Sequence, residues 1–222
     1  ILPVVNVAVF AVLDNAGIFN IGEIQVPYPI YAISGMAFWQ IFASGLGSCG
    51  NALVSAGDMV TRINFSKKSL IFAPIGRTII SFLIQMAFVG VLFLFYKIVP
   101  NTGILLVPIA LLPIVFLTLG LGFLVAAMNA IVRDIGNILP MAITFLMYLT
   151  PVLYAKPRTG ILAHATQYNP MYYFVSAGRD LMLHGKISEV EGFVLSALFS
   201  VALFFAALVI FHLTETRIAE RV

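Results

Sequence analysis

Apolar runs of bilayer length alternate with short polar connections along this sequence. A helix needs about 20 consecutive apolar residues to cross the hydrocarbon core of a bilayer. Six stretches are candidates: Ile1 to about Leu13, then Ile30–Cys49, Leu70–Tyr96, Ile104–Met128, Ile138–Tyr154 and Gly192–Leu213. The first is short and has no basic segment before it, as a signal peptide would. It reads as the later part of a helix begun before Ile1, ending at the turn signal Asp14-Asn15-Ala16-Gly17.

The connections are uneven. Asn51 to Ser69 is polar and carries Asp58, Arg62, Lys67 and Lys68. Lys97–Gly103 and Asn129–Asn137 are short turns, the second centred on Arg133-Asp134. Ala155 to Glu191 is too polar to span and too apolar for a plain loop, and predicts two short helices dipping into the membrane surface. Ala43 and Gly47, four apart, predict close helix packing in lipid. Arg77 can snorkel along its own stem, and Pro108 and Pro113 are tolerated where neighbours satisfy the released carbonyls. The expected fold is an all-α integral membrane bundle of about six transmembrane helices, one domain over residues 1–222.

Composition points the same way. Hydrophobic residues make up 61% of the chain and charged residues 9%, against roughly 25% charged in soluble domains. A mean hydropathy of +1.06 leaves no polar skin for a soluble core. The net charge of +3 is not gathered into a stripe, Lys67-Lys68 being the only adjacent basic pair, so nucleic acid is not an expected partner. The basic residues instead sort by side. Arg62, Lys67, Lys68, Arg77, Arg133, Arg217 and Arg221 fall on one, and Lys97, Lys156, Arg158, Arg179 and Lys186 on the other. The richer side is expected in the cytosol, with both chain ends.

The predicted spans contain no Asp, Glu, Lys, Arg or His between Tyr28 and Asn51, Thr78 and Tyr96, Asn101 and Val132, Ile135 and Ala155, or Gly192 and Phe211. A coupling proton needs a titratable seat at mid-membrane, so the driving force for transport must come from elsewhere. Gly185-Lys186 lacks the glycine spacing of a phosphate loop and is followed by Ile187. His164, His184 and His212 have no metal-ligand spacing, and the single Cys49 excludes an internal disulfide. Asn64-Phe65-Ser66 matches a glycosylation sequon but lies on the predicted cytosolic side. No hydrolase constellation is visible, and neither catalytic nor metal residues are assigned.

The connections form an ordered set. Val26-Pro27-Tyr28-Pro29 leads into Gly35-Met36-Ala37-Phe38-Trp39, and Asn51-Ala52-Leu53 leads to Arg62-Ile63-Asn64-Phe65. Then come Arg133-Asp134-Ile135, Leu139-Pro140, Thr150-Pro151-Val152-Leu153-Tyr154 and Asn169-Pro170-Met171. This order and spacing resemble the membrane-domain subunit of type-two ABC exporters, above all the bacterial permeases for O-antigen polysaccharides and teichoic acids. The likeness runs along essentially the whole chain. It departs at Ser66, where family members often have proline after the aromatic residue. It also places an amphipathic interface helix before Ile1.

The resemblance implies a homodimer in the bacterial inner membrane, around a path for a polysaccharide or lipid-linked glycan. Two copies of a separate ABC ATPase would bind ATP and Mg, with no cofactor in this chain. Asp58, Arg62, Lys67 and Lys68 would form a coupling helix against the ATPase, and Arg133 and Asp134 a second contact. The plainer readings are topological anchoring for the first group and a capped turn for the second. Trp39, Tyr148, Tyr154, Tyr168, Tyr172 and Tyr173 are candidates for a sugar path or gate, since ring faces stack on sugar C–H surfaces. The plainer reading of each is an interfacial aromatic belt. Drug or lipid export by the same fold, and a scaffold with no transport path, are the competing functions.

Overall fold

The computed structural model describes residues 26–57, 66–132, 134–157 and 159–219, with side chains as far as 214. The predicted first span lies outside these residues. Within them the chain is entirely helical, with no strand.

Helix α1 (Tyr28–Gly50) is followed by one turn, α2 (Ala52–Ala56), and then by α3 (Lys67–Phe95). A 3-10 turn (Thr102–Leu106) runs into α4 (Val107–Ile131), and α5 (Asp134–Leu149) follows closely. Two shorter helices, α6 (Ile161–Gln167) and α7 (Pro170–Leu183), precede the long α8 (Val190–Ala219). The chain is a multi-pass membrane protein. Tyr28–Gly50, Lys67–Phe95, Thr102–Ile131 and Val190–Thr214 are each long and apolar enough to cross a bilayer. The predicted second, third, fourth and last spans coincide with them.

The predicted fifth span, Ile138–Tyr154, is shifted. Helix α5 starts at Asp134 and ends at Leu149, because Pro151 disfavours helical backbone at Thr150. Proline is tolerated inside α3, α4 and α5 at Pro74, Pro113 and Pro140, as lipid-embedded helices allow. At the end of α3 the chain turns through Lys97, whose φ of 54° is unusual for a residue with a side chain.

The described residues divide into two compact units. One comprises 26–39, 82–111 and 146–193, and the other 40–81, 112–145 and 194–219. Lys97, Lys156, Arg179 and Lys186 belong to the first, and Lys67, Lys68 and Arg77 to the second.

The core of the second unit is aromatic. Phe123 lies 5.2 Å from both Phe72 and Phe211, with Cys49, Leu53, Ile71 and Ala126 around them. Cys49 is buried and its thiol donates to the Ile71 carbonyl. Among the described residues an added Cβ at Gly47 would meet nothing within 4 Å, and close helix packing is found elsewhere. It occurs at Gly45 against Thr118 and at Gly50 against Val125.

Helix α3 turns Ile80, Leu83, Ile84, Val91, Leu94 and Phe95 outward. In water this continuous apolar face would be strongly unfavourable, and lipid is its natural solvent.

Candidate functional site

The polar chemistry of the first unit gathers around α7. Asn169 caps this helix by accepting from the Met171 N–H at 3.0 Å, with Pro170 in the first helical position. The amide of Asn169 also donates to Thr150 Oγ1 at 2.7 Å, joining the start of α7 to the turn after α5. At the other end the Asn101 N–H donates to the Met182 carbonyl at 2.8 Å. Gly185 then turns with φ of 76° against the Asn101 side chain, where a Cβ would collide. Both ends of α7 are therefore fixed.

Arg179 is the central residue of this arrangement. It is 5% exposed, and its Nε donates to the Tyr31 carbonyl at 3.2 Å. Its two terminal nitrogens donate to the Pro151 and Val152 carbonyls. The guanidinium carbon also stacks 3.7 Å from the centre of the Tyr31 ring. The Tyr31 hydroxyl continues the chain of bonds to the Tyr154 carbonyl at 3.0 Å. Gly35 makes this possible, because a Cβ there would overlap the guanidinium. Burial lowers the affinity of Arg179 for its proton, and the nearby Tyr31 and Asp180 oppose that effect.

Beside it lies a second cluster. Lys156 Nζ pairs with Glu189 at 2.8 Å and sits 4.9 Å above the Tyr172 ring. The Tyr172 hydroxyl donates to the same carboxylate at 2.6 Å. Burial raises the Glu189 carboxyl, but the bonds from Lys156 and Tyr172 outweigh it and hold the group below its ordinary value. Burial and then the Glu189 carboxylate push the Tyr172 hydroxyl far up, so it remains a donor.

These residues border a cleft of about 500 Å³. Tyr31, Lys156, Tyr172, Ser176, Arg179 and Asp180 line it, with Leu183, His184, Lys186 and Ser188 toward the end of α7 and Val26, Pro151 and Ala155 opposite. Rings, hydroxyls, a carboxylate and cations together match the mixed surface of a sugar or another polar ligand.

Of the six aromatic residues singled out from the sequence, Tyr172 is the one that lines this cleft. Trp39 is buried in the core of its unit. Tyr148 and Tyr168 are exposed. The Tyr154 hydroxyl donates to the Tyr148 carbonyl at 2.6 Å, and the Tyr173 hydroxyl to the Gln167 carbonyl at 2.9 Å. Arg179, Tyr31, Asp180 and Glu189 were not among the sequence candidates. The signal was the pair Arg179-Asp180 between Phe174-Val175 and Leu181-Met182, a charge set inside an apolar run opened by a helix cap.

In the second unit, Asp58, Arg62 and Arg133 lie outside the described residues. Lys67 opens α3, and Lys68 Nζ lies 3.1 Å from His212 Nδ1. Asp134 opens α5 and is exposed.

The bases of the two polar connections are joined by a side chain the sequence left as part of a turn. Asn129 is 1% exposed near the end of α4. Its Nδ2 donates to the Gly50 carbonyl at 3.1 Å and to Asn51 Oδ1 at 2.9 Å. Its Oδ1 accepts from the Gly136 N–H at 2.9 Å. A Cβ at Gly136 would come within 2.8 Å of Asn51 Oδ1, so glycine is required for this approach.

The protein-family model described as ABC-2 type transporter matches residues 1–183 of this chain. An O-antigen export system permease protein RfbA of Myxococcus xanthus is 25% identical over 202 residues, covering 88% of this chain and 76% of that protein. Two proteins of the same name from Klebsiella pneumoniae are similar. One is 22% identical over 188 residues, covering 83% of this chain and 73% of its own length. The other is 23% identical over 208 residues, with coverage of 89% and 77%.

Proposed function

The chain belongs to the ABC-2 type transporter family, and from that premise we propose that it is the membrane subunit of an ATP-driven polysaccharide exporter in the bacterial inner membrane. The observation that carries the substrate class is the similarity to the O-antigen export permease of Myxococcus xanthus along 88% of this chain. The exported glycan is lipid-linked in this reading.

Two copies of the subunit pair around the export path, and two copies of a separate ABC ATPase dock from the cytosol. ATP and Mg are bound, and ATP hydrolysed, on that partner. Asp58, Arg62, Lys67, Lys68, Arg133 and Asp134 form the coupling surface against that ATPase. The bonds from Asn129 to Gly50, Asn51 and Gly136 support this role. They tie the end of α1 and the start of α2 to the start of α5, so a push on either is transmitted to α4 and α5 together. Tyr172 and its neighbours contact the glycan.

Affinity purification of the tagged full-length subunit tests the division of labour. A Walker-motif ATPase is expected to co-purify in stoichiometric amount. Its absence, with the subunit folded and in the membrane, would remove the ATP-driven reading.

A further inference from the structure

We propose that the cleft of the first unit holds a phosphate group at the depth of lipid headgroups. Three observations lead there.

The cleft carries an excess of positive charge. Arg179 and Lys186 line it against one carboxylate, Asp180, while the third lining cation, Lys156, is paired with Glu189. The carboxylates nearby are already engaged. Asp180 accepts the Ser188 N–H at 2.8 Å and lies 3.8 Å from His184, and Glu189 accepts from Lys156 and Tyr172.

Arg179 lacks a full counter-charge. The carbonyls of Tyr31, Pro151 and Val152 take three of its five N–H groups. Carbonyls satisfy donors but bring only partial charge, and no carboxylate among the described residues lies within ion-pairing distance of this guanidinium. A buried cation is costly without an anion, and an anionic ligand in the cleft would offset that cost. Arg and Lys with the hydroxyls of Ser176 and Ser188 supply the several donors that a phosphate accepts.

The depth selects phosphate over other anions. Tyr31 is in the first turn of α1, and Lys186 and Ser188 come just before α8 enters its apolar span at Val190. The lining residues thus sit where apolar helices begin, which in a bilayer is the headgroup layer. Two sources share this chemistry: a bulk anionic phospholipid, and the phosphate of a lipid that carries the exported glycan. The second source rests on the export function proposed above; the phosphate site itself does not.

The test is direct binding to the full-length subunit in a phosphate-free maltoside detergent, read by native mass spectrometry. The probes are farnesyl diphosphate, dihexanoyl phosphatidylglycerol and, without phosphate, farnesol. Farnesyl diphosphate is expected to bind and farnesol not to. Lys186→Ala and Lys186→Glu, at an exposed position, should weaken diphosphate binding by roughly tenfold, the scale of one charge-assisted bond. Binding of phosphatidylglycerol as well upholds the site as one for bulk lipid, and its exclusion upholds a carrier lipid. Equal binding of farnesol, no binding of either phosphate probe, or unchanged affinity in a folded Lys186→Glu subunit overturns the proposal. The comparison with farnesol uses the unaltered protein and stands whatever the variants do. Neither ATP nor the ATPase is present, so failure here is distinct from failure of the export reading.

Discussion

Asn129 donates to Asn51 across 78 positions of sequence, at 2.9 Å. With its bonds to Gly50 and Gly136 this carboxamide satisfies three groups from three helix ends. Asn129→Ala leaves those groups without it, and a buried unsatisfied polar group costs about 1–3 kcal/mol. Thermal unfolding of the purified subunit should shift down accordingly. Asn51→Asp keeps the acceptor for Asn129 but loses the donor to the Gly47 carbonyl at 2.9 Å, so it too should lower the unfolding temperature. Equal stability of Asn129→Ala and the unaltered protein would show that the joint contributes nothing.

Gly35 and Arg179 form a tight pair, because the glycine leaves the space that the guanidinium fills. Gly35→Ala overpacks this site, and such changes cost about 1–3 kcal/mol. Shortening the partner in Arg179→Ala should relieve the part of the clash that the guanidinium makes, leaving the Val152 carbonyl at 2.7 Å, so the two substitutions together are less damaging than their sum. The double variant measured by denaturant or thermal unfolding decides. Additivity within about 0.5 kcal/mol, the range for independent sites, would place the two residues out of contact.

The spans were legible in the sequence because lipid demands one long apolar run for each. The predicted Ile30–Cys49 and the observed Tyr28–Gly50 differ by two residues at one end and one at the other. The pair of short helices before α8 was legible from Asn169-Pro170, whose capping chemistry is local. Arg179 was not, because its partner Tyr31 is 148 positions away and nothing in a single sequence joins them. The sequence places Asn129 at the beginning of a polar turn. In fact α4 continues to Ile131 and buries it. Local signals set the helices, whereas long-range polar bonds set the site.

Acid should loosen the Lys156–Glu189–Tyr172 cluster. The Glu189 carboxyl is held below its ordinary value of 4.5 in the folded protein. As pH falls, the unfolded chain therefore takes up this proton first, and stability declines with it. The contribution is complete above about pH 4.5 and disappears as pH drops through the lower folded value. Glu189→Gln should be less stable near neutrality and lose less on acidification. An identical pH profile for the two proteins would show that this carboxylate does not contribute.

Tyr172 and Tyr173 differ in role although they are adjacent. The first lines the cleft, and the second packs on Gly192 with its hydroxyl on the Gln167 carbonyl. Tyr172→Ala should reduce glycan export more than Tyr173→Ala, at matched membrane levels of assembled complex. Normal export by an assembled double variant would remove both rings from the glycan path.

The division of labour between this chain and a separate ATPase is tested most directly in proteoliposomes loaded with the lipid-linked glycan. The subunit alone should hydrolyse no ATP and move no glycan. Addition of the partner ATPase, ATP and Mg should start both together, and an ATPase variant that binds but does not hydrolyse ATP should start neither. Robust ATP turnover by the isolated subunit, or glycan movement that needs no ATP, would contradict it.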